Sequence, residues 1–372
     1  MKVKVYTDLE ELPQGYGCLC EEASHQSFFL SVPWFKNLVN TVLDKKNRIR
    51  IYGVEMDDSQ IAPVAALITQ YGRSLNEVFK PLKLSGLSNY YTSLFGPLIR
   101  EYQNNLTEII QELVRGICND DYRWDIIDLK PLDIDSLTFL KLVESFQWAG
   151  MIVQTYFCFG NWYLQVKGRS YKEYFDALPS QLKNTLKRKS KTLEQSGQAR
   201  FEIITDKTGL ELAIEGYQKV YNTSWKVPEP YPLFMPGLIR TCAEMGWLRL
   251  GLFYIKDEPV AVQLWIVKGD TASIFKLAYD ARFSKLSIGS VLTAILMEYV
   301  IDVDKVKEVD YLTGDDLYKR DWMSHRRERW GIMVFNPKTL NGAINIARHV
   351  GGRIFKNVLR GACKKLYPVH RD

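Results

Sequence analysis

The chain has 372 residues, a net charge of +6, 46% hydrophobic and 13% aromatic residues, which excludes a disordered protein and exceeds one ordinary core, so two domains of about 150–180 residues are expected. No apolar run approaches the roughly 20 residues of a membrane span. The start, M-K-V-K-V-Y-T-D-L-E-E-L, has strand-then-helix character where a signal peptide would need a long apolar segment, which implies a cytoplasmic protein.

In chain order, Arg48 to Met56 and Ile61 to Gln70 read as two strands around the turn Asp57-Asp58-Ser59. Leu250 to Ile255 and Pro259 to Val267 repeat the arrangement around Lys256-Asp257-Glu258, and both hairpins contain P-V-A, at Pro63-Val64-Ala65 and Pro259-Val260-Ala261. Trp124 to Leu129 in the first half resembles Val309 to Leu312 in the second. The shared order of elements reads as a duplicated α/β unit. The boundary is expected near Phe159-Gly160-Asn161, where an apolar strand beginning at Met151 meets a small-residue break before the strand Trp162 to Val166.

Two helices follow, Tyr171 to Leu178 and one starting at Pro179-Ser180 and ending at Gly197. In the latter, Leu182, Leu186 and Leu193 share a face surrounded by Lys183, Lys187, Arg188, Lys189 and Lys191. This basic face is either a surface for nucleic acid or acidic headgroups, or a solvated amphipathic helix; no nucleic-acid motif accompanies it. From Thr339 to Leu366 a basic helical pattern suits a membrane-surface helix or one packed on the second domain, weakened at Gly351-Gly352.

Two segments carry the candidate chemistry. Arg282 to Ser290 lead into an apolar helix, whose start offers unpaired N–H groups and two bases to a phosphate, or is an ordinary Ser-capped start. Asp310 to Trp322 gather Asp310, Asp315, Tyr318 and Lys319 after a strand, either for proton handling and oxyanion stabilisation or as a capped helix with packed aromatics. The six cysteines (18, 20, 118, 158, 242, 363) form no C-x-x-C, and with four dispersed histidines no disulfide framework or metal site is implied. No G-x-S-x-G, Walker or G-x-G-x-x-G motif occurs.

The order L-P-S-Q-L-K-N-T-L-K-R-K, W-L-R-L-x-L, D-E-P-V-A-V-Q-L, Tyr279-Asp280, Ser287-x-Gly289 and D-x-x-x-G-x-x-x-Y-K-x-x-W over about 160–330 resembles the GNAT-superfamily acetyltransferases of the CelD-like, polysaccharide-biosynthesis family. It is similar, more distantly, to the Fem-type aminoacyltransferases. The resemblance implies an α+β protein of tandem GNAT-like domains, each a mixed, mostly antiparallel sheet flanked by helices. Residues 1–160 would form a degenerate N-terminal domain, 161–336 the acyltransferase domain and 337–372 a basic amphipathic helix.

The resemblance also implies transfer of an acyl group from acyl-CoA to an amine of a sugar or glycan precursor, without a metal. The donor pyrophosphate would lie on Leu286, Ser287, Ile288, Gly289 and Ser290, with Arg282 and Lys285 alongside. Here the family's Q/R-x-x-G-x-G/A loop keeps only Gly289, with Ser284 and Ser287 at the other anchor positions. Lys319 would stabilise the oxyanion, Asp310 would deprotonate the amine and Tyr318 would protonate the leaving sulfur. Trp225, Lys226, Gln263 and Asp315 are expected at the acceptor. The alternatives are an aminoacyl-tRNA donor, as in the Fem-type relatives, or a non-catalytic component of polysaccharide assembly held peripherally at the inner membrane face by the C-terminal helix.

Overall fold

The computed structural model describes residues 1–44, 47–56, 63–72, 80–100 and 105–349, in two units. The first comprises Met1–Ala23, Asp44–Cys158 and the chain from Arg329; the second comprises Ser24–Leu43 and Phe159–Glu328. The expected turn at Asp57-Asp58-Ser59 and the C-terminal pattern beyond residue 349, Gly351-Gly352 included, lie outside the described residues.

In the first unit, Lys2–Tyr6, Asn47–Glu55, Pro63–Gly72 and Lys83–Gly86 pair antiparallel in that order. Lys83–Gly86 then pairs parallel with Ile126–Asp133, which pairs antiparallel with residues 329–335. The helix Leu106–Cys118 buries Ile109, Ile110, Leu113, Val114 and Ile117, the three- and four-residue spacing of one helical face, in the core with Leu67, Leu129 and Phe146. The helical turns at 340–349 sit on this unit: Asn341 Nδ2 donates to Asp125 Oδ2 (3.4 Å) and the His349 ring lies 5.0 Å from that of Phe335. Residues 340–349 therefore pack on the first unit and not on the second domain as expected, Asn336 donating to the Trp124 carbonyl (3.2 Å) just before them; the rest of the expected helix lies outside the described residues.

In the second unit, Ala199–Ile204, Leu248–Ile255, Glu258–Lys268 and Thr271–Tyr279 pair antiparallel in order. Thr271–Tyr279 pairs parallel with Glu308–Asp310, which pairs antiparallel with residues 163–165. Lys256 and Asp257 both adopt positive φ at the hairpin turn, the geometry that matches strand twist. A Cβ on Gly216 of the helix Leu210–Thr223 would meet Leu252, and one on Gly251 would meet Leu292 and Leu296 of the helix Ile288–Glu298. Since successive strand residues face opposite ways, the two helices cover opposite faces of the sheet. Glu258–Lys268 is accordingly buried along almost its whole length.

The two units divide between Cys158 and Phe159, where the boundary is expected, but Phe159-Gly160-Asn161 is no break in the strand: it is part of one 14-residue strand, Ile152–Gln165. Gly160 serves close approach rather than termination: a Cβ there would lie 2.7 Å from the Arg326 guanidinium and the Asp315 carboxylate. The basic helix, Ser180–Gln195, buries Leu186 and Leu193 as its leucine spacing predicts, and leaves Lys187, Arg188 and Lys191 exposed.

Candidate active site

The parallel pair in the second unit is short. Thr271, Ala272 and Ser273 pair with Glu308, Val309 and Asp310, and then the strands part. Residues 274–279 continue along the neighbouring strand as far as Tyr279 opposite Ala261, whereas Tyr311 donates its N–H to the Trp162 carbonyl (2.9 Å). Strand edges diverging in this way leave backbone groups available to a ligand between them.

At the end of the first of these strands, Asp280 caps a 3-10 turn, Ala281–Leu286. Its carboxylate accepts from the Arg282 N–H (2.9 Å), Nε (2.9 Å) and Nη2 (2.6 Å), and this partner holds it below the usual carboxylate range. Arg282 is thereby committed to Asp280 and, at 3.4 Å, Glu258. Ser287 does not cap with its side chain. It takes the left-handed conformation (φ 53°, ψ 34°), which costs an L-residue about 1 kcal/mol and turns the chain into the helix Ile288–Glu298. The N–H groups of Ile288, Gly289 and Ser290 form the first turn, with no acidic residue in it. Leu286 and Ile288 pack their side chains on the core, so only their backbones can meet a ligand. A Cβ on Gly289 would lie 3.1 Å from the Tyr279 ring, and Lys285 is exposed while its carbonyl accepts from Lys189 Nζ (2.5 Å).

Gln263 does not reach the surface. It is 1% exposed, donating to the Gly289 carbonyl (2.8 Å) and Thr293 Oγ1 (2.8 Å) and accepting from Trp265 Nε1 (2.9 Å). It braces the helix start from below. The ring of the buried Tyr311, whose phenol burial pushes up, packs edge-on against that of Tyr318, 5.8 Å between centroids. Tyr318 is half exposed, and burial, then Asp316, pushes its phenol up to about 12.

Lys319 is buried within its own loop. Nζ donates to the carbonyls of Thr313 (2.6 Å), Gly314 (3.3 Å) and Tyr311 (3.4 Å), with Asp316 at 3.6 Å, and desolvation lowers its pKa. Leu312 (φ 53°) and Gly314 (φ 109°) wrap the loop round it. Asp310 Oδ1 accepts from Asn161 Nδ2 (2.5 Å) and the Leu312 N–H (2.7 Å), and Oδ2 accepts from Arg327 Nη2 (2.6 Å). Asp315 is bound by Arg326 (2.7 Å) and Trp162 Nε1 (2.8 Å).

The loop after Leu210–Thr223 carries Trp225, whose ring lies 4.5 Å from that of Tyr279, and Lys226. Lys226 is desolvated to a pKa of about 8, with Lys276 next in effect, then Glu229, Lys319 and Asp316. Trp225 and Lys226 are thus near the helix start through Tyr279 and near the loop of Lys319, while Gln263 is interior and Asp315, exposed beside Lys319, is engaged by Arg326.

Asn161, Arg327, Thr293, Tyr311, Glu229 and Lys276 also build this region and were not singled out from sequence. Arg327 stands in His325-Arg326-Arg327-Glu328-Arg329, which reads as a solvated edge; only the cost of burying Asp310 signals a cationic partner. Among the described residues no group of three or more His, Cys, Asp or Glu could hold a metal ion, and no helix is long and apolar enough to cross a membrane.

Residues 180–320, which contain the helix start, the loop of Lys226 and the loop of Lys319, match the family model described as Acetyltransferase (GNAT) domain. The structure is similar to that of FemX (TM-score 0.61, 9% identity, covering 92% of this chain and 98% of that one). It is also similar to a conserved protein of unknown function from Bacteroides thetaiotaomicron VPI-5482 (TM-score 0.52, 10% identity, covering 85% and 91%). At that identity these likenesses show the fold alone. The class defined by fold and domain is an α+β enzyme of tandem GNAT-like units, an acyltransferase of the N-acetyltransferase type. Curated protein sequences yield no match.

Proposed function

We propose that the second unit transfers an acetyl-like acyl group from acyl-CoA to an amine of a sugar or glycan precursor, in the setting of polysaccharide assembly that the CelD-like resemblance suggests. The working domain would be Phe159–Glu328 with Ser24–Leu43 in place of the expected 161–336, since residues 329–335 pair with Ile126–Asp133 of the first unit, which would be the degenerate copy. The observation that carries the reading is that the acid-free helix start at Ile288–Ser290 and the Tyr318–Lys319 loop flank the same diverging strands. The N–H groups there, with Lys285, suit the donor pyrophosphate. Arg282, tied to Asp280, shapes the turn.

The acceptor nitrogen attacks the thioester carbonyl, forming N–C and breaking C–S. The nitrogen's proton passes to water and the sulfur takes the Tyr318 proton. Burial pushes the Tyr318 phenol up to about 12, so it is protonated at neutral pH and can supply that proton, regaining one from solvent. Lys319 has one short bond, to Thr313, and two long ones that an oxyanion could replace. Asp310, held by three donors, fits a brace for this loop better than a direct base. Calorimetric titration of acetyl-CoA, followed by thiol release with a panel of amino sugars, tests the reading. Binding and turnover are expected; binding of no acyl-CoA would overturn it, and a response to aminoacyl-tRNA instead would reassign the donor.

A further inference from the structure

The second unit holds three lysines and two carboxylates at the Tyr318 end of the diverging strands: Lys226, Lys276, Lys319, Glu229 and Asp316. Glu229 pairs with Lys276 at 2.9 Å, both nearly buried. Asp316 lies 3.6 Å from Lys319, whose Nζ is further held by carbonyl oxygens. Lys226 is what remains. Among the described residues its ammonium has no hydrogen bond or ion pair, only the Trp225 ring 5.8 Å away.

Its backbone is nonetheless fixed. The Lys226 N–H donates to Ser224 Oγ (3.3 Å), the Tyr221 hydroxyl donates to the Val227 carbonyl (3.2 Å), and Glu229 ties the loop to the strand Thr271–Tyr279. A half-buried cation with no ion pair of its own, beside two lysines that already engage the neighbouring carboxylates Glu229 and Asp316, is less favourable than one that an anion completes. We propose that Lys226 receives an anionic group, a carboxylate or phosphoryl oxygen, carried by the acceptor amine. This deepens the acyl-transfer reading and rests on it for the word acceptor; the anion site itself does not.

The test uses the intact wild-type chain, so no variant need fold. Lysines are labelled with pyridoxal and borohydride at pH 8 and mapped by mass spectrometry, with inorganic phosphate or acetate added against chloride at equal ionic strength. A bound anion favours the ammonium and so removes the reactive amine. At an anion concentration about four times its Kd, labelling of Lys226 should slow about fivefold, with exposed Lys207 unaffected. Protection by phosphate alone assigns a phosphoryl group, by acetate alone a carboxylate, and by both an unselective anion seat. Mapping Lys285 in the same digest separates occupancy of the helix start. Equal labelling of Lys226 with and without either anion, or equal slowing at Lys207, overturns the proposal. Acetyl-CoA titration of the same preparation distinguishes the readings: protection without acetyl-CoA binding keeps the anion site and removes its assignment to an acceptor.

Discussion

Ala65 in the first unit and Ala261 in the second stand at the same place in a shared Pro-Val-Ala, and each pairs with the next strand edge: Ala65 with Ile99, Ala261 with Tyr279. The routes to those partners differ. In the second unit one strand, Thr271–Tyr279, supplies the whole edge and runs directly into the helix-start turn. In the first, Lys83–Gly86 covers only Thr69 to Tyr71, and a separate two-residue strand, Leu98–Ile99, fills the rest after a detour. Each unit then has a helix and a returning strand with a parallel Ser–Asp register pair, Ser85 with Asp128 and Ser273 with Asp310. The helix of the first unit carries Glu108 in its first turn, whereas that of the second has no acid there. The scaffold is common to both; the direct turn and the anion-friendly helix start belong to one.

The largest expected effect separates the lysines. Lys319→Ala should lower kcat roughly a hundredfold or more, since an oxyanion donor is lost. Lys83→Ala, which removes the exposed partner of Asp128 in the first unit (2.7 Å), should leave turnover within about twofold. Steady-state kinetics checks both, and equal losses would end the functional distinction between the units.

Ser290 occupies the helix position that Glu108 occupies in the first unit, the third residue of each. Ser290→Glu therefore rebuilds the first unit's start in the second, and should weaken acetyl-CoA binding about tenfold by repulsion of the pyrophosphate, about 1.4 kcal/mol. Glu108→Ser should not change it. Calorimetry on the two variants decides whether that charge is what distinguishes the helix starts.

What could be read in the sequence follows the same division. The hairpins were legible because short apolar runs and the turn residues Lys256-Asp257 act locally, and the motif Ser287-x-Gly289 marked the helix start. Gln263 was misread as facing a cleft because a strand covered by helices on both faces has no alternation to reveal which side chains are interior. The Gly160 break was misread because close approach of Asp315 and Arg326, 155 and more residues away in sequence, leaves the same signature as a turn. Arg327 was missed for the complementary reason: ion pairing with Asp310 is non-local, and a basic run looks solvated.

Asp310 and Asp128 test how much of the shared register pair is architecture. Asp128 is buried and bonded to Lys83 and Tyr156, as Asp310 is to Arg327 and Asn161. Asp310→Asn leaves the half-buried Arg327 with Glu308 (2.7 Å) as its remaining ion pair and should cost about 2 kcal/mol, roughly 4–8 °C in Tm, against about 1 kcal/mol for Asp128→Asn, whose lysine is exposed. A fall in kcat for Asp310→Asn at unchanged Tm would instead restore the role of base.

The smallest effect concerns Lys226, which has no ion pair among the described residues, in contrast to the paired and exposed Lys83 of the first unit. Its folded pKa of about 8 lies below the roughly 10.4 of an unfolded lysine. Between those values the unfolded chain binds more protons than the folded one, so stability rises with pH there, and the penalty for a buried charge is largest below about pH 8. Lys226→Met removes the group. The variant should be the more stable at pH 7, and its advantage in Tm should shrink as pH rises from about 8 to about 10, by no more than a few degrees. Addition of the anion identified by labelling should reverse the order at pH 7, because it stabilises only the ammonium of the wild type.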